Sequence, residues 1–269
     1  SGELKAEYRE LQRVMNALGS SWELSGGVFR LIREYPNGDT ENIAYYAENA
    51  FQAGSWRLDF NPNKLTDEEK LEMKRAIDLL ADVHFTRLDL AFDVFNNELG
   101  MKYRIYRPNV SQREYGVYTA QWTKAVETIY YGSNSSDQQI RQYNKLVEQT
   151  KKNMPLPDGV EHWMRLELQL RGRKPAEWVD CAKSMLADFR LPNYDNIKSV
   201  NDKLALAGLD SQFVDWSDFA KEKRARLRKL QKEQYDDTLA RELFDLLIAH
   251  QERLHGELTS YLAEFDIQE

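Results

Sequence analysis

Tyr143 stands between two cations in 139-QIRQYNKL-146, with Arg141 and Lys145 each two residues away. A tyrosine hydroxyl, with a pKa of about 10, is a weak nucleophile at neutral pH. Neighbouring positive charge favours the phenolate and also grips phosphate oxygens, so this spacing suits attack on a phosphodiester. In a strand the three side chains would share one face. In a helix Ile140, Tyr143 and Val147 would instead form an apolar stripe, with Tyr143 an ordinary core residue. Periodicity leaves both open.

A second constellation recurs three times. Arg57-Leu58-Asp59-Phe60, Arg87-Leu88-Asp89-Leu90 and Arg165-Leu166-Glu167-Leu168 each place arginine, leucine, an acid and an apolar residue in a run that alternates with period two. If the three runs are strands of one sheet, Asp59, Asp89, Asp93 and Glu167 gather on its polar face beside Arg57, Arg87 and Arg165. Such a face can simply be the wet side of an antiparallel sheet with cross-strand ion pairs. Gathered carboxylates also suit a hard divalent cation, Mg²⁺ or Mn²⁺, and the arginines suit the phosphodiester it would polarise.

Other chemistries find little support. His84, His162, His250 and His255 lack zinc-ligand spacing. Cys181 is the only cysteine, so a disulfide framework is excluded and an intracellular, cytoplasmic setting is expected; the residue reads as a small buried side chain. No GxxxxGK[ST] or GxGxxG loop occurs, which argues against ATPase or dinucleotide chemistry. The formal charge of −7 argues against generic DNA coating but not against a local basic field. No apolar run approaches the ~18 residues of a membrane span. The start, Ser1-Gly2-Glu3, carries neither methionine nor a signal-peptide pattern and reads as a truncated or tag-cleaved end.

These groups need elements to hold them. Residues 3–19 read as an amphipathic helix and 20–60 as strands, with a turn or bulge at Gly26-Gly27 and a turn at Pro36-Asn37-Gly38-Asp39. Thr66-x-x-Glu69 is a capping box opening a helix over 66–83. Strands are expected at 85–95, 101–107, 113–119, 125–132 and 163–171. Beyond about 176 strand signals vanish and charged helices run to the end, notably 216–236 and 237–265. The sequence thus predicts an α+β fold, with an antiparallel-rich catalytic domain over 1–175 and a helical region over 176–269. In the latter, Lys221, Lys223, Arg224, Arg226, Arg228, Lys229 and Lys232 face a single nearby acid, Glu222. This helix is either a solvated surface pairing with Asp236, Asp237 and Glu242, or a phosphate- and groove-binding element with 211-SQFVDWSDFA-220 packed beneath it. The leucines at 239, 243, 246, 247, 254, 258 and 262 form a stripe suited to core packing or to dimerisation.

The blocks RLDFNPNKLT (57–66), FTRLDLAFD (85–93), YYGS…SD…IRQYNK (130–145) and WMRLELQL (163–170) resemble, in this order, the Rep_trans family of rolling-circle plasmid replication initiators, to which nickases of integrative conjugative elements are related. The resemblance spans roughly residues 20–265. It implies an HUH-endonuclease-like core in which Tyr143, assisted by Arg141 and Lys145, attacks a phosphodiester at the origin. The products would be a 5′-phosphotyrosyl link and a free 3′-OH primer, in a nicking-closing exchange. Asp89, Glu167 and Asp59 are the implied divalent-metal ligands. Gln169 stands where many members carry a second acid, so Glu167 carries that role in its block, and Gln142 replaces a common aliphatic residue. Lys221, Lys223, Arg224, Arg226, Arg228 and Lys229, with Arg87 and Arg165, are the implied DNA contacts. Implied partners are double-strand origin DNA with a hairpin or single-stranded nick site, a second copy of the chain and a host helicase. Tyr130 and Tyr131 are expected to pack or to stack on DNA. A conjugative relaxase, or a non-catalytic DNA-binding protein on the same fold, would share these features.

Overall fold

The computed structural model describes residues 1–49, 53–61, 65–106, 115–119, 125–211 and 213–263. They divide into two compact units, Ser1–Thr86 with the chain from Glu252 onward, and Arg87–Gln251.

The first unit contains β1 (Gly2–Leu4), α1 (Leu11–Leu18), β2 (Trp22–Ser25), β3 (Val28–Glu34), β4 (Thr40–Glu48), β5 (Ser55–Phe60), α2 (Asp67–Asp78) and β6 (Leu80–Ala81). Its antiparallel sheet runs β2-β3-β4-β5-β1-β6. Gly26 and Gly27, both at positive φ, close the two-residue β2–β3 hairpin, where φ above zero gives the turn the same twist as its strands. Thr66 and Glu69 form the expected capping box, each side chain accepting from the other's backbone N–H. Val14, Leu18, Met73 and Ala76 of the helices pack in one core with Phe29, Tyr46 and Trp56 of the sheet. Two expectations are corrected. Residues 3–19 are not one helix, because Gly2–Leu4 is captured as a strand between β5 and β6, and a Cβ at Gly2 would come within 2.4 Å of the Ala81 carbonyl oxygen. For the same reason α2 stops at Asp78 and Leu80–Ala81 joins the sheet.

The second unit contains β7 (Arg87–Phe95), β8 (Arg104–Ile105), β9 (Tyr115–Thr119), β10 (Val126–Tyr131), β11 (Gln138–Asn144), α3 (Lys145–Lys151), β12 (Trp163–Arg171), α4 (Trp178–Ala187), β13 (Phe189–Pro192), α5 (Val200–Asp210), α6 (Lys221–Glu233), β14 (Tyr235–Asp236) and the start of α7 (Thr238–Ala263). Five strands form an antiparallel sheet ordered β7-β12-β11-β10-β9. One face carries Phe92, Val94, Ile129, Ile140, Met164, Leu166, Leu168 and Leu170, all buried, with α4 packed against β12. The other face is polar and holds the candidate site. Contrary to expectation, two short strands follow residue 176. β13 and β14 are too short to show an alternating pattern and exist because β13 pairs with both β8 and β14. The chain is therefore α+β with antiparallel sheets. Compact packing divides it at Thr86/Arg87, whereas the boundary expected near 175 follows the change from strands to helices, which β13 crosses by pairing back to β8. Of the leucine stripe, Leu239, Leu243 and Leu247 are buried and Leu246 is exposed; the Leu262 side chain, residue 212, and parts of the strands expected at 101–107 and 113–119 lie outside the described residues.

Candidate active site

The strand alternative holds at the nucleophile candidate. β11 runs through Asn144, and its registers with β10 and β12 set Tyr143 opposite Thr128 and Arg165, and Arg141 opposite Tyr130 and Glu167. β12 in turn sets Arg165 opposite Asp93 and Gln169 opposite Asp89. Directly opposite residues in antiparallel strands share a face, so Tyr143, Glu167, Asp93 and Asp89 lie on one polar surface. The strand ends sooner than expected. The Asn144 side chain accepts from the Val147 N–H and caps α3, so Lys145 and Leu146 are helical rather than strand residues.

The Tyr143 ring is buried, but its neighbours are charged. The Arg141 guanidinium lies 4.0 Å from the ring centroid and the Lys145 ammonium 5.7 Å. The Tyr143 hydroxyl donates to Glu167 Oε2 at 3.4 Å, and Arg141 Nη2 reaches the same oxygen at 3.4 Å. Gln169 donates to Glu167 Oε1 at 3.0 Å and itself accepts from Arg171 at 3.0 Å. Glu167 is thereby fixed in a largely buried position with an acceptor aimed at the phenol. Arg141 Nε, in the guanidinium over the Tyr143 ring, is buried with no partner, an unmet donor that an anion would satisfy.

The remaining predicted residues are more committed than the sequence suggests. Arg165 grips Asp93 bidentately at 2.8 and 2.7 Å, and Trp163 Nε1 adds 2.7 Å to the same carboxylate. Burial raises the Asp93 pKa, but these bonds and the charges of Arg165 and Lys145 outweigh it and hold the carboxyl below its usual range. Arg87 grips Asp89 in the same fashion at 3.0 and 2.8 Å. The Lys145 ammonium meets Glu148 at 2.5 Å. Burial opposes ionisation of Glu148 too, yet Lys145 and Lys152 keep its carboxyl low. Glu148 was missed in the sequence, although its spacing of three from Lys145 is a helical-pair signal. Asp59 is the main correction. β5 belongs to the six-stranded sheet of the other unit, so the three repeated motifs do not form one sheet, and Asp59 pairs with Arg57 of its own strand at 2.8 Å.

Among the described residues no three His, Cys, Asp or Glu gather as a preformed metal cage. Asp89 and Gln169 face each other, with Glu167 two residues along β12. Two carboxylates and an amide carbonyl are an all-oxygen set. That set has the donor chemistry of Mg²⁺ or Mn²⁺, which retain water and complete their shell with substrate phosphate. Arg87 holds both Asp89 oxygens and Arg171 the Gln169 carbonyl, however, so those bonds must open for an ion to enter.

The basic helix α6 is anchored by Leu227, which joins Ile197, Ala205 and Leu206 in a small core with Trp216, Phe219 and Leu230 packed around it. Trp216 and Phe219 thus support α6 as expected, whereas Phe213 is exposed. Asp210, the last residue of α5, receives the Tyr194 hydroxyl at 2.5 Å and the Tyr106 hydroxyl at 3.1 Å, fastening the helix pair to the segments around β8 and β13. Several α6 cations are engaged. Arg226 bonds the buried Asp202 at 2.5 Å, Arg228 lies 5.2 Å from the Trp216 ring centroid, Lys223 lies 5.4 Å from that of Phe219, and Lys229 meets Glu233 at 3.9 Å. Lys221, Arg224 and Lys232 make no ion pair among the described residues.

Residues 83–191 match the family model Rep_trans, described as replication initiation factor. A replication initiation protein of Staphylococcus aureus is 30% identical over 227 residues, covering 82% of this chain and 70% of its own. Another from the same organism is 32% identical over 185 residues, covering 68% of this chain and 56% of its own. Among solved structures, a rolling circle replication initiator protein from Geobacillus stearothermophilus covers 86% of this chain and 92% of its own, at 14% identity and a TM-score of 0.37, too slight a likeness to carry weight. No helix among the described residues is long and apolar enough to cross a membrane.

Proposed function

The chain belongs to the replication initiation factor family, and from that premise we propose that it initiates rolling-circle replication by nicking origin DNA with Tyr143. The observation that carries this is the Tyr143 hydroxyl, held against Glu167 on the polar sheet face beneath Arg141, whose buried Nε lacks a partner.

The chemistry balances without nucleotide fuel. Tyr143 Oη attacks the scissile phosphorus, its proton passes to Glu167 Oε2, and a Tyr–O–P bond forms as the P–O3′ bond breaks. The departing 3′ oxygen takes up a proton and becomes a free 3′-OH, able to prime synthesis. The reverse exchange recloses the strand, because one phosphodiester has replaced another. Arg141 supplies a donor to the phosphate and positive charge beside the attacking oxygen's ring, where negative charge on the phosphate builds up. Asp89 and Glu167, with the Gln169 carbonyl, would hold a divalent ion, which when bound neutralises phosphate charge. Lys145 shapes the site through Glu148 rather than as a free phosphate ligand. On α6, Lys221 and Arg224 are the cations best placed for duplex phosphates, while Arg226 also braces the helix. Its partners at the origin would be a second copy of the chain and a host helicase.

The test is incubation of the protein and Mg²⁺ or Mn²⁺ with supercoiled DNA carrying candidate origins, followed by a denaturing gel and peptide mapping. Nicked DNA linked to the fragment containing Tyr143 is expected. A link at Tyr130 or Tyr131, or cleavage without any covalent link, would overturn the assignment.

A further inference from the structure

A cleft of about 170 Å³ opens beside Tyr143, between β10, β11 and α3. We propose that it seats one unpaired nucleobase of the strand that carries the scissile phosphate, with preference for a base bearing an exocyclic amine. This rests on Tyr143 and Arg141 taking the phosphate, since both line the cleft and one neighbouring base must then lie close by.

Shape and chemistry agree. The space accommodates one base and not a base pair, so the nucleotide enters only from single-stranded DNA or after leaving its stack. Tyr130 offers an aromatic wall, held by the Tyr118 ring edge to face at 5.7 Å and 82°, and Val147 of α3 adds an apolar surface. A fixed aromatic ring is the usual platform for a base without its partner. The lining also includes carboxylates of Glu127 and Glu148, whose remaining lone pairs can accept from the exocyclic amine of adenine, cytosine or guanine, whereas thymine has only its ring N3–H to donate. Lys151 bonds both oxygens of Glu127, at 3.0 and 2.8 Å, and so ties α3 to β10. Asn144 commits its oxygen to the α3 cap, leaving its amide hydrogens for a ligand.

The experiment measures fluorescence anisotropy of labelled single-stranded ten-mers with the Tyr143→Phe protein, which keeps the ring and cannot cut. The probes are oligo-dA, oligo-dT and an abasic ten-mer with the same phosphates. Oligo-dA should bind on the order of tenfold or more tighter than the abasic strand, as base stacking on an aromatic ring implies, with oligo-dT between them. Tyr130→Ala and the cleft-filling Val147→Trp should each bring oligo-dA down to the abasic level without changing abasic binding, and Tyr130→Phe should restore the difference. Equal binding of oligo-dA and the abasic strand, no measurable binding of either, or an unchanged ratio in both cleft variants would overturn the proposal. Adduct formation by protein with Tyr143 intact is scored separately. An adduct on Tyr143 without base dependence would remove the cleft and keep the nucleophile; base dependence without an adduct would do the reverse.

Discussion

The same four-residue motif sits in the six-stranded and the five-stranded sheet and meets different partners from strand to strand. In β5, Arg57 faces Ala47 and Asp59 faces Tyr45 across the β4 ladder, and the two charges pair with each other along the strand, at 2.8 Å. β7 repeats this with Arg87 and Asp89, whose opposite residues are Arg171 and Gln169. In β12, by contrast, Arg165 faces Asp93, and Glu167 faces Arg141 on β11, and both charges turn outward to those strands. Opposite residues are closer than residues two apart on one strand, so a cross-strand partner wins when one is present. There the acid also accepts from a tyrosine hydroxyl, that of Tyr143. The motif supplies an arginine and a carboxylate; the neighbouring strand decides whether they become a surface pair or part of a site.

The largest effect expected from breaking this contrast is at the β11–β12 contact. Tyr143→Phe should fold, bind duplex DNA and yield no covalent adduct, with Tyr131→Phe as a control that retains it. Glu167→Ala should likewise abolish nicking while leaving duplex affinity largely intact, and persistent nicking in excess EDTA would refute the metal role of Asp89 and Glu167. Asp59→Ala is the sharpening counterpart. It carries the same motif in the other sheet and should retain most nicking, whereas a loss as severe as that of Asp89→Ala would return the motif itself to the centre.

A smaller effect is expected on α6, where accessible charges contrast with the locked arginines of β12. Lys221→Glu with Arg224→Glu should weaken origin binding and lower the log–log salt slope by about 0.9 per lost contact. Arg226→Ala should instead appear mainly as destabilisation of about 1–2 kcal/mol by denaturant melts, because it strands the buried Asp202. An unchanged salt slope in the double reversal would make α6 a solvated surface.

The smallest effect concerns Asp93. Its folded pKa is depressed, so its contribution to stability is present above the unfolded value of about 3.9 and is lost as pH falls through the folded value. Asp93→Asn should cost about 1 kcal/mol at pH 7, allowing for solvent screening at a partly exposed pair, and progressively less below pH 4. A pH-independent difference would mean that packing rather than charge explains the variant.

Much of the local structure was legible in the sequence because its causes are local. The Thr66 capping box, the break at Gly26-Gly27, read as a turn or bulge and found as a turn, and the alternation of β7 and β12 depend on residues within a few positions of one another. The strand at Tyr143 was not legible from periodicity, since Ile140, Tyr143 and Val147 fit a helix equally well; the family resemblance tipped the choice. The helix at Lys145 was overlooked although Asn144 and Glu148 signalled it.

By itself, then, the sequence determined the α+β class, the polar face of each strand and the residue types available for phosphodiester chemistry, all set by spacing along the chain. Which strands became neighbours was decided only by the tertiary structure. That step put Asp59 in a separate sheet, made short strands of Gly2–Leu4, Leu80–Ala81 and Phe189–Pro192, and brought Glu167 to the Tyr143 hydroxyl. The reason is that pairing between distant segments depends on what each buries and which charge lies opposite, and neither can be read along a single strand.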